Sequence, residues 1–569
     1  MLEKKWRLLS ADENITSRLY QDLKINKALC RLLALRMISN YECARDFFRP
    51  ELSQLHDPFL MKGMAEAVKR IQKAIRQHEK VMIYGDYDVD GTTSVAVVYA
   101  FLKSNFPQLP LCYYIPHRYR EGYGVSAAGI EKAANTGCGL IITLDCGIKS
   151  VEKAALAAQK GIDMIICDHH LPGDELPNAS AILNPKQKDC PYPYKELSGC
   201  GIGYKLISAI ARMEKLSQET VTQYLDLVAT SIAADIVPMD GENRILAYYG
   251  LKRANELPCV SLQKIKEVAG LKKEFTISDL VFLVAPRINA AGRMDDAGKA
   301  VSLFIEDNPE KALEKALDLQ QDNSNRKDED RKMTEEALRM LQDNDTRSNR
   351  STVLFQPHWH KGVVGIVASR VQDSYYRPTI ILTESNGMIT GSARSVRAFN
   401  IHDALVKCES LLENFGGHFF AAGMTLKPEN LEAFKEAFEQ AVRDSIQEES
   451  LYPEIQIEAE LSLKDIQPSF FNILKQFEPF GPTNLPPVFI SRRVINVQGK
   501  SRIVKDNHIR FVVRQDGTSI TGIGFGLAEK FPVVDSGDPF DIVYRITENE
   551  WQGTVSLQLQ VLDVRMQQE

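Results

Sequence analysis

The chain of 569 residues lacks several features that would point directly to a function. Its ten cysteines form no Cys-x-x-Cys pair, which argues against a zinc ribbon or a dithiol redox motif and predicts reduced thiols. No uninterrupted apolar run approaches about 18 residues and the first residues form no apolar signal segment, so we expect a cytoplasmic protein with no membrane partner. Acidic residues outnumber basic ones by 75 to 69, so any nucleic-acid partner must be met by local basic patches.

Length and residue patterns divide the chain into several parts. A hydrophobic fraction of 44% with 25% charged residues is typical of globular domains and excludes a disordered chain. The predicted parts are an N-terminal helical segment (1–75), a first α/β domain (76–306), a connector helix (307–345), a second α/β domain (346–450) and an all-β domain (455–569). The charged connector, with its thin apolar stripe, fits either a solvated helix or a helix packed on one domain.

Acidic residues and histidines follow three short apolar runs that predict buried strands of a parallel sheet. The runs are VMIYG (81–85), LIITL (140–144) and DMIIC (163–167), and they alternate with helical patterns. They are followed by Asp86, Asp88 and Asp90, by Asp145, and by Asp168, His169 and His170. Because loops at the carboxyl ends of neighbouring strands meet in one crevice of an open α/β sheet, we expect these side chains to cluster.

A cluster of carboxylates repels itself unless cations neutralise it. A pair of divalent metal ions removes this objection, because carboxylate oxygen and neutral imidazole suit Mn²⁺ or Mg²⁺. A calcium loop does not fit, since Val97 stands where an EF-hand needs Glu. Asp235 interrupts an apolar helical run and by itself would fit an acid capped or salt-bridged near a helix end, but together with three other acidic loops in the same domain it favours a further metal ligand. Two adjacent metal ions indicate hydrolysis, most simply of a phosphoester.

The familiar nucleotide-binding motifs are absent. Gly499-Lys500-Ser501 lacks the upstream glycine of a P-loop, since residue 494 is Val. The run GCGIG (199–203) misses the dinucleotide fingerprint because Tyr204 stands in its sixth place. The chemistry predicted from the residues therefore rests on the metal cluster.

The C-terminal domain carries a local basic cluster. Between residues 492 and 514, seven basic residues stand against Asp506, a local charge of +6 on a chain whose net charge is −6. The seven are Arg492, Arg493, Lys500, Arg502, Lys505, Arg510 and Arg514. On a five-stranded barrel this cluster suits an OB-fold that follows a phosphate backbone, with Phe511 as a base-stacking ring. The alternative is that the basic residues protect exposed strand edges.

Successive motifs resemble those of a known enzyme family. YGDYDVDG, LDCGI, DHH and AADIVPM, in this order, resemble the motifs of the DHH phosphoesterase superfamily. RINAAGRM, HWHKGVVGIVASR, GSARS, GGHFFAAGM and PFGPTNLPPVF are similar to those of the RecJ family of single-strand-specific 5′→3′ DNA exonucleases. The resemblance covers roughly residues 45–565. It implies a DHH-type parallel-sheet catalytic domain, a DHH-associated α/β domain joined to it by a long helix, and a C-terminal all-β OB-fold.

The resemblance also implies a set of metal ligands. One Mn²⁺ or Mg²⁺ ion would be held by Asp88 and Asp145, helped by Asp86, and the other by Asp90, Asp145, His169 and Asp235. Asp145 would bridge the two ions, and His170 would contact the scissile phosphate and stabilise its developing charge. Asp145 and His170 are therefore the expected catalytic residues.

Further residues are implied as contacts to DNA. Arg118, Ser392 and Arg394 form the expected pocket for a terminal 5′-phosphate, because Arg offers a planar fork of donors and Ser a neutral one. The other expected substrate-binding residues are Arg293, for a backbone phosphate, and Arg370, Gly416, Gly417 and His418. The glycine-rich turn has an alternative role as a tight turn within the second α/β domain.

The leading hypothesis is an exonuclease that degrades single-stranded DNA from the 5′ end in recombination and repair. For partners, the resemblance implies single-stranded DNA together with a helicase and a single-strand-binding protein, and we expect a monomer. A DHH phosphodiesterase for oligoribonucleotides or small nucleotides is the second hypothesis, although the basic all-β domain favours a polymer. A non-catalytic scaffold is the third, but such a protein would be expected to lose metal ligands that this sequence retains.

Overall fold

The computed structural model describes residues 3–294, 296–343, 348–551 and 553–566. These residues form two compact units. Unit 1 holds the described parts of 1–45, 327–476 and 486–569, and unit 2 holds the described parts of 46–326 together with 477–485. None of the described helices is both long and apolar enough to cross a membrane. All ten cysteines are free thiols.

The N-terminal part of the chain begins with a strand and continues as helices. Its elements are β1 (Lys5–Leu8), α1 (Glu13–Leu23), α2 (Lys27–Leu35), α3 (Tyr41–Phe48) and α4 (Met64–Gln77). Asp12 and Asn26 cap α1 and α2, where their side chains accept hydrogen bonds from free backbone N–H groups. The segment predicted as helical therefore also contains a strand, which pairs in parallel with residues 454–457 of unit 1.

A parallel sheet forms the centre of unit 2. Its strands and the helices between them are β2 (Lys80–Gly85), α5 (Val89–Asn105), β3 (Leu111–Tyr114), α6 (Ala127–Asn135), β4 (Cys138–Leu144), α7 (Val151–Gln159), β5 (Asp163–Cys167) and β6 (Ala181–Leu183). The strand order is β3-β2-β4-β5-β6, and every pairing is parallel. In β2, Val81 and Ile83 pack into one core while Met82 and Tyr84 pack into another, so both faces of the sheet are covered.

Further helices complete unit 2. They are α8 (Gly199–Met213), α9 (Glu219–Thr222), α10 (Leu225–Asp235), α11 (Gly241–Glu256), α12 (Val260–Val268), α13 (Ile277–Asp279), α14 (Ala285–Met294) and α15 (Gly298–Phe304). Helices α5, α8 and α10 are buried around most of their circumference, because they pack on the sheet and on one another. The ends of these helices near the carboxyl edge of the sheet carry polar side chains, unlike the apolar residues that pack in the core.

The predicted connector is one continuous helix, α16 (Pro309–Asp343). Ala312, Ala316 and Leu319 belong to the main apolar core of unit 2. Met333 and Ala337 belong to an apolar core of unit 1. The helix is therefore not solvated along its whole length, because its thin apolar stripe packs into an apolar core near each end.

The second α/β domain lies in unit 1. Its elements are β7 (Thr352–Phe355), α17 (Val364–Tyr375), β8 (Thr379–Ser385), β9 (Met388–Arg394), α18 (Ile401–Val406), β10 (Asn414–Gly417), β11 (Ala421–Leu426) and α19 (Leu431–Arg443). The strand order is β10-β11-β9-β8-β7, with only β7 and β8 parallel. In this sheet the GSARS motif lies at the end of β9, and the GGHFFAAGM motif runs from the end of β10 into β11. Strand β11 pairs with both β9 and β10.

The C-terminal part of unit 1 contains a closed barrel. Its elements are β12 (Glu454–Ile457), β13 (Ala459–Glu460), α20 (Pro468–Lys475), β14 (Phe489–Asn496), β15 (Arg502–Val504), β16 (His508–Gln515), β17 (Thr518–Gly524), α21 (Phe531–Val534), β18 (Phe540–Trp551) and β19 (Thr554–Met566). The strands β14-β18-β19-β17-β16 pair in this order, and pairing of β14 with β16 closes the ring. Asp516 and Gly517, which join β16 to β17, have positive φ angles of 48° and 85°, as the type I′ turn of a two-residue hairpin requires.

Candidate metal centre and nucleic-acid contacts

Seven predicted side chains lie together at the carboxyl edge of the unit 2 sheet. Asp86 and Asp145 directly follow β2 and β4, and His169 and His170 come just after β5. Asp88 is the N-cap of α5, Asp90 lies in its first turn, and Asp235 is the last residue of α10. Their ligand atoms form three groups, each within 4.8 Å: Asp86, Asp88 and Asp145; Asp90, His169 and Asp235; and Asp145, His169 and His170.

The ring of His169 lies between three carboxylates. Its Nε2 atom is 3.2 Å from Asp145 Oδ1 and 3.6 Å from Asp235 Oδ2. The same atom is 3.8 Å from Asp90 Oδ2. Asp145 and His169 each belong to two of the three ligand groups, and of these two only Asp145 is a carboxylate, whose two oxygens can serve two cations at once.

The unsatisfied polar atoms of this cluster match the donor set of a divalent cation centre. Asp86 Oδ1, Asp145 Oδ1, Asp235 Oδ2 and both ring nitrogens of His169 are buried and form no hydrogen bond with the described part of the chain. Buried polar atoms are nearly always paired, and an unpaired buried carboxylate is costly. Carboxylate oxygens with an imidazole nitrogen are ligands for cations such as Mn²⁺ and Mg²⁺, so the residues present fit these cations.

The ionisation of the cluster without cations supports the same conclusion. Burial raises the pKa of Asp145 well above its usual range, and the charges of Asp90 and Asp88 raise it further. Burial likewise raises the pKa of Asp86 and Asp235, with a neighbouring carboxylate adding to each shift. Burial lowers the pKa of His169, which favours the neutral ring that can bind a metal. Cations would reverse the effect on the carboxylates by stabilising their charged form.

Asp90 is held by a helix N-terminus that the sequence analysis did not identify. The backbone N–H groups of Gly199 and Cys200, at the start of α8, donate to its two oxygens at 2.6 and 2.8 Å. The hydroxyl of Ser231 donates to Asp90 Oδ1 at 2.6 Å. A Cβ atom on Gly199 would lie 2.7 Å from Asp145 Cβ and 2.9 Å from Asp90 Oδ2. Only glycine fits at this position without a shift of a carboxylate or of the start of α8.

His170 is oriented by Asp168, a member of the DHH motif that the predicted ligand set leaves out. Asp168 Oδ1 lies 2.8 Å from His170 Nδ1 and also accepts the backbone N–H of His170 at 3.0 Å. Burial acts to lower the pKa of His170, but the Asp168 hydrogen bond and the nearby carboxylates outweigh burial and raise it. The hydroxyl of Tyr123, also absent from the predicted set, lies within 3.2 Å of both ring nitrogens. The charged ring is therefore favoured and held in one orientation.

Two predicted DNA contacts lie in unit 2. The guanidinium of Arg118 lies 4.7 Å from the centroid of the Tyr87 ring. Its charge acts to lower the pKa of Asp86 and of Asp88, which places Arg118 within electrostatic range of the metal centre. Arg293 is half-buried at the end of α14, and its backbone carbonyl accepts a 2.9 Å hydrogen bond from Tyr119.

Ser392 and Arg394 lie side by side on β9 in unit 1. Arg394 Nη1 donates to Ser392 Oγ at 2.7 Å. Gly365 lies in the first turn of α17, where an added Cβ would be 2.9 Å from Arg394 Nη2 and 3.1 Å from Ser392 Oγ. The N-terminus of α17 therefore lies next to both side chains, and a helix N-terminus favours the binding of an anionic group.

The remaining predicted contacts also belong to unit 1. Arg370 donates to the buried carboxylate of Asp330 at 2.8 Å, which orients its half-exposed guanidinium. Gly416 and Gly417 end β10, and the backbone N–H of His418 donates to the Ala421 carbonyl across the turn. A Cβ on Gly417 would lie 2.4 Å from that carbonyl oxygen, whereas one on Gly416 would meet nothing within 4 Å. The turn therefore needs Gly417 for packing, and Gly416 leaves open space at the surface.

The prediction that Phe511 stacks on a base is wrong. Phe511 is fully buried in the barrel, so it cannot stack on a base. The exposed aromatic ring beside the basic strands is Phe525, which is 59% exposed and makes an edge contact with His508 at 5.3 Å between ring centroids. Arg502 and Arg510 are cross-strand partners of β15 and β16, whereas Arg492 is already paired with Glu460 and Asp541.

Models of three protein families match the chain. They are the DHH family, N-terminal domain (residues 80–232), the DHHA1 domain (349–444) and the RecJ OB domain (457–563). The single-stranded-DNA-specific exonuclease RecJ of Haemophilus influenzae is 35% identical over 536 residues, which cover 90% of this chain and 92% of that protein. The chain belongs to the RecJ family. The resemblance stated from the motifs is confirmed.

Other RecJ proteins agree with this assignment. RecJ of Bacillus subtilis (strain 168) is 35% identical over 562 residues, covering 98% of this chain and 70% of that protein. The crystal structure of RecJ in complex with Mn²⁺ from Thermus thermophilus superposes with a TM-score of 0.84 at 26% identity, covering 99% of this chain and 80% of that one. The predicted fold class is confirmed: a DHH-type parallel-sheet domain, a DHH-associated α/β domain reached through a long helix, and a C-terminal OB-fold.

Proposed function

We propose that this chain is a 5′→3′ exonuclease of single-stranded DNA that uses two Mn²⁺ or Mg²⁺ ions held by the DHH domain. The observation that carries the proposal is the set of buried carboxylate and imidazole atoms, gathered at one sheet edge, that have no hydrogen-bond partner among the described residues. Family membership supports the same activity, because the related proteins are named single-stranded-DNA-specific exonucleases. The predicted metal ligands and DNA contacts enter this proposal with the roles given above.

The side chains of the centre divide the work of phosphodiester hydrolysis between them. A bound pair of divalent cations supplies Lewis-acid stabilisation of the phosphate charge and a lower pKa for the attacking water. Asp145 belongs both to the group with Asp86 and Asp88 and to the group with His169 and His170, so it would be the shared ligand, and Asp90 is fixed in place by the start of α8. His170, whose pKa is raised by its hydrogen bond to Asp168, would donate a hydrogen bond from Nε2 to an oxygen of the scissile phosphate.

A second candidate is a DHH phosphodiesterase for oligoribonucleotides or small nucleotides. The closed barrel with its exposed basic strands favours a polymer over such a substrate. We propose that the chain works as a cytoplasmic monomer, and that a helicase and a single-strand-binding protein supply and present the strand. The test is Mn²⁺-dependent digestion of strands labelled at either end, with single-stranded and duplex DNA and RNA compared. Release of label from the 3′ end first, or faster digestion of RNA, would contradict the leading function.

Replacing Arg394 with Ala should reduce the preference for 5′-phosphorylated ends by about tenfold, because a charge-assisted hydrogen bond to a terminal phosphate is lost. Arg118→Ala should act in the same direction. The measurement is kcat/KM on matched oligonucleotides with a 5′-phosphate or a 5′-hydroxyl. Arg397→Ala is the control, since Arg397 lies close by in the sequence but pairs with Glu454. Equal losses on both kinds of end would argue against a phosphate pocket.

Replacing Phe525 with Ala should weaken binding of long single strands about tenfold, because one base loses its stacking partner. Phe525→Trp should retain the affinity, which is measured by fluorescence anisotropy with an inactive enzyme. Cleavage of very short oligonucleotides should be unchanged by both variants. If Phe525→Ala binds long strands normally, the exposed ring has another role. Deleting the whole region from residue 455 is a poorer test, because it also removes residues 477–485, which fold with unit 2.

A further inference from the structure

A segment from the C-terminal part of the chain folds as part of unit 2. Residues Phe477–Leu485, here named the strap, connect α20 with β14, and both of those elements belong to unit 1. The strap itself belongs to unit 2. Its first residue, Phe477, is fully buried and makes edge contacts with the rings of Phe47 and Phe48 at 5.5 and 5.3 Å between centroids.

Arg244 fixes the shape of the strap at this first end. Its guanidinium is nearly fully buried and donates to the carbonyls of Phe477, Glu478 and Pro479 at 2.9, 2.9 and 3.2 Å. Within the strap, the side-chain amide of Asn484 donates to the carbonyls of Phe477 and Pro479 at 2.7 and 2.9 Å. A side-chain network that closes on itself in this way holds a chain segment in one conformation.

The other end of the strap contacts the loop after α10. The backbone N–H of Met239 donates to the Pro482 carbonyl at 2.7 Å. The Thr483 hydroxyl donates to Asp240 Oδ2 at 3.1 Å. A Cβ atom on Gly481 would lie 2.9 Å from Met239 Cε and 3.0 Å from Met239 Cβ, so the two segments are in close contact. Met239 itself is buried in the main core of unit 2.

That loop begins directly after the metal-ligand candidate Asp235. Ile236, the next residue, has a φ of +60°, which is sterically disfavoured for a β-branched side chain. The side chain of Ile236 is 70% exposed, so its own packing does little to hold this backbone. The strained turn persists only if neighbouring groups fix the loop, and the strap supplies hydrogen bonds to two residues of it, Met239 and Asp240.

We propose that the strap positions Asp235, and that the cation held by Asp90, His169 and Asp235 therefore depends on a segment supplied by the C-terminal part of the chain. The proposal rests on the proposed two-cation function. The strap residues do not touch the centre and act through the loop, so they are positioning residues. A short covalent connection, residues 486–488, links the strap to β14 of the OB-fold.

The test uses the full chain and titrates it with Mn²⁺ alone, while free Mn²⁺ is followed by electron paramagnetic resonance. Thr483→Val removes the hydroxyl that reaches Asp240, and Gly481→Ala pushes against Met239. Thr483→Val should raise the Kd of one of the two ions about fivefold, and Gly481→Ala should raise it by about tenfold or more. The Kd of the other ion should change by less than about twofold.

Two matched variants separate positioning from general stability. Thr483→Ser keeps the hydroxyl and should restore the wild-type Kd. Thr136→Val, whose hydroxyl donates to the Lys132 carbonyl at the end of α6, should leave both Kd values unchanged. A lower Tm in EDTA with unchanged Mn²⁺ affinity, or equal weakening of both ions, would overturn the inference while the proposed function stands. A wild-type chain that binds no Mn²⁺ would instead refute the proposed function.

Discussion

Replacing Asp145 with Asn is expected to reduce the rate of strand hydrolysis on the order of 10³-fold or more, because the two cation groups lose their shared ligand. Asn is the sharper substitution than Ala, since residue 145 has a φ of +60° and Asn tolerates this region. Asp145→Ala should lose at least as much activity. The measurement is a single-turnover rate at saturating Mn²⁺ on a 5′-phosphorylated strand, and near-normal turnover would contradict the assignment.

The same substitution should stabilise the chain when cations are absent. Burial first, then the charges of Asp90 and Asp88, raises the pKa of the Asp145 carboxyl. A group whose pKa rises on folding lowers the free energy of unfolding at every pH above its unfolded value, so the ionised carboxylate is unfavourable at neutral pH. Asn removes that cost. Tm in EDTA should therefore rise, whereas the increase in Tm on adding Mn²⁺ should become smaller.

Asp163→Asn is the matched control for the Asp145 substitutions. Asp163 begins β5, at the opposite end of the sheet from the metal centre, and pairs with Arg70 at 2.6 Å. It lies outside the three ligand groups. Turnover of this variant should stay within about threefold of wild type, since Arg70 keeps its two hydrogen bonds to Glu79 and none of the ligand groups changes.

The metal cluster could be predicted because two local signals agree. Buried strands of a parallel sheet appear in sequence as short continuous apolar runs, and β2, β4 and β5 match the runs at 81–85, 140–144 and 163–167 closely. Residues after such strands meet at one edge, whatever their distance along the chain. Strand periodicity thus brings Asp86, Asp145 and His169 together without knowledge of any tertiary contact.

The groups that support the cluster could not be predicted in this way. Asp90 accepts hydrogen bonds from Gly199 and Cys200, 109 and 110 residues further along the chain, through backbone N–H groups of a kind that nearly every residue type carries. Tyr123 approaches His170 from the loop before α6. The only sequence signal at α8 was its glycine run, which failed as a dinucleotide fingerprint but marks a close approach of backbone to side chains.

The basic barrel shows that local charge does not predict which side chains of a strand point into the barrel. In β16, Ile509, Phe511 and Val513 are buried, and Arg510 and Arg514 between and after them are exposed. The period of two therefore assigns Phe511 to the barrel interior, and a prediction from local charge misses this. Strand β1 is a different case, because its four residues, KWRL, alternate polar and apolar but are too few to indicate pairing with a strand near the other end of the chain.

Replacing Gly199 with Ala is expected to reduce turnover on the order of 10²-fold, although no functional side chain is removed. The new Cβ would lie 2.7 Å from Asp145 Cβ and 2.9 Å from Asp90 Oδ2, so at least one carboxylate or the start of α8 must move. Because Asp90 is held by the N–H groups of that same turn, a shift of α8 displaces the carboxylate as well. Mn²⁺ affinity should fall together with the rate.

Gly201→Ala in the same helix separates crowding of the centre from the general effect of a methyl group in α8. A Cβ on Gly201 would have its nearest neighbours at 3.4 Å, which is ordinary van der Waals contact, and Ala favours a helix over Gly by about 1 kcal/mol. This variant should keep wild-type turnover and gain slightly in Tm. If Gly199→Ala also keeps normal turnover and Mn²⁺ affinity, the start of α8 does not determine where Asp90 and Asp145 place their oxygens, and the fixed geometry proposed for the centre is wrong.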